Sequence, residues 1–218
     1  MRILFDLDGT LIDSVPDLRA LANRVLAGEG CAPITLEQAR DFVGSGAPVF
    51  VRRMRAACGI PDSEQDRLYR AFLDGYETAV DLTRPWPGVP EALEALKGAG
   101  HRLGVATNKP WRPACAVLDH LGLSHVFDTV LGGDSLATRK PDPTMLHDGF
   151  AALGGGLRLF VGDSEIDAET AHAAGVPFLL YAHGYRKAEI PELRAEAVFD
   201  HFADLPELVA ATARAHAL

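Results

Sequence analysis

The chain changes its hydrophobic period twice. Residues 2–5 form a short, mainly apolar run that stops at the polar turn 6–10, a pattern typical of a buried strand. From Pro16 to about Leu82, apolar residues recur at helical spacing, which predicts helices with no strand between them. Beyond the Pro/Gly-rich segment 85–90, short apolar strands alternate with helices as far as Tyr181.

The second half of the chain predicts a parallel sheet. The predicted strands are 101–106, 129–131, 158–161 and 177–181, and the predicted helices are 89–99, one that starts at Pro110, 144–153 and 168–174. Strands that alternate with helices of about 10–15 residues form right-handed crossovers, which cover both faces of a parallel sheet. We therefore predict the α/β class, with one domain at residues 1–14 and 84–218 interrupted by an all-helical insertion at residues 15–83.

Composition narrows the possible partners. The 218 residues carry 21 Lys and Arg against 30 Asp and Glu, a net charge of −9, and no basic stripe that would suit nucleic acid. The three cysteines form no C-x-x-C pair, so neither a zinc ribbon nor a redox motif is indicated. No apolar run approaches the roughly 18 residues that span a bilayer, and the N-terminal run is too short for a signal peptide. We expect a cytoplasmic protein without nucleic-acid or membrane partners, and no pattern indicates its oligomeric state.

Polar residues follow four of the predicted apolar segments. They are Asp6 and Asp8, then Thr107 and Asn108, then Lys140, and then Asp163 with Asp167. Each group alone has a structural explanation, such as a solvated turn, a helix cap, a surface lysine or acids in the first turn of a helix. Ligands bind at the carboxyl ends of parallel strands, where these residues would meet. The four groups together therefore predict one site.

The acids of this site indicate its chemistry. Asp6, Asp8 and Asp163, without His or Cys, make an oxygen-only site that suits Mg²⁺. A carboxylate can accept a phosphoryl group, and a second carboxylate two residues on can protonate the leaving alkoxide and later deprotonate water. Residues i and i+2 of an extended segment point to the same side, which makes D-x-D a usable spacing.

The neighbouring polar residues suit the oxygens of a phosphate. Lys140, Thr107 and Asn108 offer an ammonium, a hydroxyl and an amide where transition-state charge develops. Gly9 lets the chain turn where the backbone passes near the phosphate.

These motifs resemble those of the haloacid-dehalogenase superfamily of phosphatases, and within it the phosphoglycolate phosphatases. The matching segments are DLDGTL at 6–11, TNKP at 107–110, KPDP at 140–143 and GDSEID at 162–167. They occur in order, and the insertion after the first resembles a helical cap. One departure is Ile166, where many relatives carry Asn. The carboxyl group of Asp8 argues against a dehalogenase, because dehalogenase relatives lack it.

The resemblance implies a Rossmann-like parallel-sheet core with an inserted helical cap, and a role for each motif residue. Asp6 would be the nucleophile and Asp8 the general acid and base. Mg²⁺ would be held by the Asp6 carboxylate, the Asp8 backbone carbonyl and Asp163, with Asp167 behind these ligands. Thr107 and Lys140 would bind the phosphate of a small phosphomonoester.

The expected substrate is inferred from a weaker resemblance to the family. The segment 42–47 and Arg53 resemble the cap loop of phosphoglycolate phosphatases, and Arg53 could pair with a substrate carboxylate. Alternatively, Arg52, Arg53 and Arg55 form a solvated helix face. We expect hydrolysis of 2-phosphoglycolate to glycolate and phosphate. The alternatives are another small phosphomonoester, a sugar phosphate, or a non-catalytic scaffold that binds a phosphorylated ligand; the presence of both Asp6 and Asp8 argues against the last.

Overall fold

A computed structural model describes residues 1–216. The strands are β1 Arg2–Phe5, β2 Ile12–Asp13, β3 Arg84–Pro85, β4 Arg102–Ala106, β5 Thr129–Leu131, β6 Arg158–Gly162, β7 Phe178–Tyr181 and β8 Ala197–Phe199. The helices are α1 Val15–Gly28, α2 Leu36–Phe42, α3 Ala47–Ala57, α4 Gln65–Tyr76, α5 Val89–Gly98, α6 Trp111–His120, α7 Thr144–Leu153, α8 Glu165–Ala174 and α9 Leu205–Ala215. The predicted α/β class is confirmed.

Six strands form a parallel sheet in the order β5-β4-β1-β6-β7-β8. Successive side chains of β1 enter different cores, because a strand alternates between the two faces of its sheet. Ile3 and Phe5 belong to an apolar cluster that includes residues of α5, α6 and α9, whereas Leu4 packs with residues of α7 and α8 on the other face. Helices on both faces bury β1 completely and place its carboxyl end at the centre of the sheet edge.

Helices α1 to α4 enclose an apolar cluster of their own. Its members come from residues 15–76, with Tyr185 as the exception, and Phe50, Met54 and Phe72 are among its buried side chains. The chain leaves for these helices and returns through the antiparallel pair of β2 and β3. A boundary of the cap at residues 15 and 83 is compatible with this arrangement but stays a prediction.

Asp17 fastens the first helix of the insertion to the returning chain. Its Oδ2 accepts hydrogen bonds from the backbone N–H groups of Leu82 and Thr83 and from the Thr83 hydroxyl, at 2.9, 2.7 and 2.7 Å. Hydrogen bonds to a buried charged acceptor are among the stronger ones in proteins. This contact therefore holds both ends of the insertion together beside β2 and β3.

Most predicted elements match the structure within one or two residues. Helix α8 begins three residues before the predicted 168–174, because the Ser164 and Asp167 side chains form a capping box at its N-terminus. The sequence patterns did not predict β8, α9 or the short pair of β2 and β3. No helix among residues 1–216 is both long and apolar enough to cross a membrane.

Candidate active site

Three buried carboxylates meet at the carboxyl edge of the sheet. Asp6 directly follows β1, Asp163 directly follows β6, and Asp167 lies in the first turn of α8. Because β1 and β6 are neighbours in the sheet, one oxygen from each acid lies within 4.8 Å of the others. Thr107, which follows β4 on the other side of β1, is also buried at this edge.

Lys140 is the cation within this cluster. Its Nζ lies 2.8 Å from Oδ1 of Asp6 and 2.7 Å from Oδ1 of Asp167, and its side chain is buried. The 2.8 Å contact with Asp6 is an ion pair between two buried side chains. The one ammonium therefore contacts two of the three carboxylates, and the cluster keeps an excess of negative charge.

Burial and the neighbouring charges together change the pKa values of the cluster. Burial raises the pKa of Asp6 to about 6; nearby Lys140 opposes the change and Asp167 adds to it. Burial, and then the charges of Asp167 and Asp6, raise the pKa of Asp163 well above its usual value. Both shifts show that the cluster resists full ionisation when no further cation is present.

Asp163 is fixed on both oxygens. The Thr10 hydroxyl donates to its Oδ1 at 2.7 Å, and the Tyr185 backbone N–H donates to its Oδ2 at 2.6 Å. A β-carbon added to Gly9 would lie 2.5 Å from the same Oδ2, and one added to Gly184 only 2.2 Å from it. Glycine at these positions lets the backbone close around the carboxylate.

Asp167 supports the cluster from behind. Its Oδ2 accepts hydrogen bonds from the backbone N–H groups of Asp163 and Ser164 and from the Ser164 hydroxyl, while its Oδ1 faces Lys140. Both of its oxygens are therefore engaged by protein groups. Ile166, the departure from the motif, lies at the outer mouth of the site near Gly44 and contributes to none of these bonds.

Asp8 lies at the boundary between the sheet edge and the insertion. Its Oδ1 accepts a hydrogen bond from the Ser14 hydroxyl at 2.6 Å and lies 3.2 Å from the Lys109 ammonium. The same ammonium lies 3.2 Å from the hydroxyl of Tyr76, the last residue of α4. Lys109 is buried and in direct contact with Asp8, although its sequence position indicates only that it follows a strand within the TNKP motif.

Asn108 joins the insertion to the core. Its side-chain amide donates to the backbone carbonyls of Gly44 and Lys140, at 3.1 and 3.0 Å. The Thr107 hydroxyl oxygen accepts the backbone N–H of Lys109 at 3.2 Å, which leaves its own O–H available. Both N–H groups of the Asn108 side chain therefore donate to backbone carbonyls. A hydrogen bond from Asn108 to the substrate stays a prediction.

Arg53 lies at the outer side of the site. Its guanidinium donates to the backbone carbonyls of Asp41 and Phe42, where α2 ends. The alternative of one solvated arginine face is wrong for Arg55, which is buried, forms an ion pair with Asp62 and donates to the Ile60 carbonyl.

Two small cavities open onto Asp6 and Asp8. The inner cavity, about 20 Å³, is lined by apolar and aromatic side chains of the insertion, which include Leu18, Phe50, Phe72 and Tyr76. The outer cavity, about 30 Å³, is lined by Arg53, Lys187 and Ser45 among others. Each has room for only one or two water-sized groups, since a water needs roughly 10–15 Å³ on this scale.

The residues present fit a magnesium ion. Magnesium prefers carboxylate and carbonyl oxygens, and the cluster offers these without a thiol or imidazole among the grouped acids. The uncompensated negative charge of the three buried acids also suits a divalent cation.

The fold and the buried acids together define an α/β enzyme, and in open parallel sheets of this kind ligands bind at the carboxyl edge. The chain belongs to the haloacid dehalogenase-like hydrolase family, which it matches over residues 3–181. The family resemblance predicted from the motifs is confirmed.

Similar proteins cover nearly the whole chain. The phosphoglycolate phosphatase of Rhodobacter capsulatus is 45% identical over 210 residues, which cover 95% of each chain. That of Rhodospirillum rubrum is 41% identical over 212 residues, 93% of this chain and 88% of the relative. A crystal structure described as a predicted phosphoglycolate phosphatase from Haemophilus somnus superposes with a TM-score of 0.89 at 33% identity, covering 95% of this chain and 96% of that one.

Replacing Asp6 by Asn will stabilise the metal-free protein near neutral pH. The folded form has an Asp6 pKa of about 6 and the unfolded form one near 3.8, so the folded form binds more protons between these values. The free energy of unfolding therefore falls as pH rises from about 4 to about 6, and the loss persists above that range. Asp6→Asn removes this contribution, and we expect its Tm in chelator to rise by roughly 2–8 °C.

Thermal unfolding followed by circular dichroism checks this expectation. Asp148→Asn, which changes an exposed acid on α7, is the matched control and leaves the Tm unchanged. A metal-free Asp6→Asn protein that melts at or below the parent temperature would contradict the argument from charge.

Proposed function

We propose that this protein is a Mg²⁺-dependent phosphatase that hydrolyses 2-phosphoglycolate to glycolate and phosphate through an aspartyl-phosphate on Asp6. The observation that carries the proposal is the buried group of Asp6, Asp163, Asp167 and Lys140, with Asp8 two residues beyond Asp6. The relatives named phosphoglycolate phosphatase support it, because they are similar over nearly the whole chain.

The residues of the cluster divide the work of the first step. The Asp6 carboxylate attacks phosphorus, forming an oxygen–phosphorus bond as the bond to the glycolate oxygen breaks. Lys140 and the free hydroxyl hydrogen of Thr107 bind the phosphate oxygens. The Asp6 and Asp163 carboxylates and the Asp8 backbone carbonyl would hold Mg²⁺, which supplies positive charge for the approach of an anionic ester to an anionic nucleophile.

Asp8 handles the protons of both steps. As an acid, it gives a proton to the glycolate oxygen that leaves phosphorus. As a base, it then takes a proton from the water that attacks the phosphorus of the aspartyl-phosphate, which frees Asp6 and releases phosphate. Its position next to Ser14 and Lys109, facing both cavities, suits this double role.

Residues 15–83 act as a cap over the core formed by residues 1–14 and 84–218. The apolar side chains of Phe50 and Phe72 line the inner cavity, and they limit the access of bulk water to the site while the cap is seated. The cavities have room for only one or two water-sized groups, so the choice of a two-carbon substrate over a sugar phosphate is supported by the relatives and not by cavity volume. Another small phosphomonoester is the alternative that the cavities leave open.

Steady-state hydrolysis tests the proposed activity. We expect 2-phosphoglycolate to have the highest kcat/KM in a panel of small phosphate monoesters, with activity lost in excess chelator and restored by Mg²⁺. Asp6→Asn will lower kcat by at least about 10⁴-fold, because the nucleophile is removed. The exposed Asp148→Asn serves as control. Activity that survives Asp6→Asn, or that persists in chelator, rules out the mechanism.

Arg53 tests how the substrate carboxylate is recognised. A guanidinium at the outer cavity pairs with a carboxylate but not with an uncharged aryl group, so Arg53→Ala will raise KM for 2-phosphoglycolate by roughly 10-fold and spare p-nitrophenyl phosphate. Arg52→Ala, a change of its exposed neighbour on α3, is the matched control. Equal losses on the two substrates would refute the carboxylate role and indicate that Arg53 only holds the end of α2.

A further inference from the structure

A buried lysine contacts both the proposed acid and the cap. Lys109 follows β4 in the core, and its Nζ lies 3.2 and 3.4 Å from the two carboxylate oxygens of Asp8. Its third neighbour is the Tyr76 hydroxyl at the end of α4, 3.2 Å away. The ammonium also lies 4.5 Å from the centroid of the Tyr76 ring. One side chain therefore bridges the core, Asp8 and the last helix of the insertion.

The number of donors limits what Lys109 can do. An ammonium has three N–H groups, and the two oxygens of Asp8 with the hydroxyl of Tyr76 account for three acceptors. Among the described residues, its contacts therefore point to holding Asp8 rather than to binding substrate directly. A buried ammonium without partners is strongly disfavoured, so the buried position of Lys109 depends on these contacts.

Tyr76 is well placed to set the position of that ammonium. Its ring packs edge-on against Phe72, with centroids 5.1 Å apart, inside the apolar cluster of the insertion. Tyr76 also lines the inner cavity, and its hydroxyl lies against the Lys109 ammonium. The contact with Lys109 thus forms only where α4 lies against the sheet edge.

We propose that Lys109 and Tyr76 are positioning residues. The Lys109 ammonium, held by the Tyr76 hydroxyl, aims the Asp8 carboxyl group at the leaving-group oxygen, so the acid is aligned only while α4 is seated on the core. This inference rests on the proposed function of Asp8 as general acid. It adds a physical link between the position of the cap and the proton-transfer step.

Three substrates separate this role from the alternatives. 2-Phosphoglycolate has an alkoxide leaving group and a carboxylate, ethyl phosphate has an alkoxide and no carboxylate, and p-nitrophenyl phosphate has a leaving group that departs without a proton. A residue that positions the acid affects both alkyl esters and spares the aryl ester. The quantity to compare is kcat/KM, which reports steps up to phosphoryl transfer.

Two variants weaken the contact between Lys109 and Tyr76 to different extents. We expect Lys109→Met to lower kcat/KM by roughly 10- to 100-fold on both alkyl phosphates and by less than about 3-fold on p-nitrophenyl phosphate, a part of what a general acid contributes. Tyr76→Phe keeps the ring packing, removes only the hydroxyl, and will show the same pattern at roughly 3- to 10-fold. Tyr69→Phe, on the same helix but lining neither cavity, is the matched control.

The other outcomes overturn the inference. Equal losses on all three substrates mean that Lys109 and Tyr76 only stabilise the structure. A loss on 2-phosphoglycolate alone means that Lys109 binds the substrate carboxylate. Inhibition by inorganic phosphate provides a second readout, and its inhibition constant should not change, because Thr107 and Lys140 are untouched. If Lys109→Met fails to fold, Tyr76→Phe decides.

Asp8→Asn separates this inference from the proposed function. If Asp8 is the general acid, kcat/KM of this variant will fall far more on the alkyl phosphates than on the aryl ester. If it does not, the proposed role of Asp8 fails and the inference fails with it. If Asp8→Asn shows the pattern and the Lys109 and Tyr76 variants do not, only the inference is wrong.

Discussion

The charge balance at the carboxyl edge of the sheet is the constraint on which the site depends. Three carboxylates share the buried space with one ammonium, Lys140. Two like charges at such distances repel by about 3–4 kcal/mol at an effective dielectric of about 20. The fold accepts this cost because bonds from Thr10, Ser164 and the backbone hold the acids in place. A prearranged cluster with an excess of negative charge suits a divalent cation. The bound cation would in turn offset the negative charge of a phosphate ester.

The insertion meets this cluster through polar contacts, and Tyr185 of the core packs into the apolar cluster of the insertion. The two large apolar clusters have separate buried members, and Trp86 packs at the edge of both. Asn108 reaches Gly44, and Lys109 reaches Tyr76, so residues of one sequence motif make both contacts. Separate cores joined by short segments are the usual arrangement of domains that move relative to each other. A movement of the insertion relative to the sheet would form and break the contacts that Asn108 and Lys109 make.

Local sequence patterns predicted most of the strands and helices and the residues that meet at the centre of the site. Strand β1 and helix α7 lie where their apolar periods predicted, and the strand order brings Asp6, Asp163 and Thr107 together as expected. The patterns did not predict contacts between residues distant in sequence. Tyr185 bonds to Asp163 through its backbone, which no side-chain motif encodes. Similarly, the partnership of Lys109 with Tyr76 depends on how α4 lies against β4, and the packing of whole elements, not local spacing, decides that.

Acid-quenched mass spectrometry during turnover is the most direct test of the central claim. The enzyme is mixed with Mg²⁺ and 2-phosphoglycolate, quenched in acid and digested, and the peptide that contains Asp6 is examined. We predict one phosphoryl group on Asp6 in the parent protein and none in Asp6→Asn. Phosphate release without any phosphoryl group on that peptide, or with the group on another residue, would contradict it.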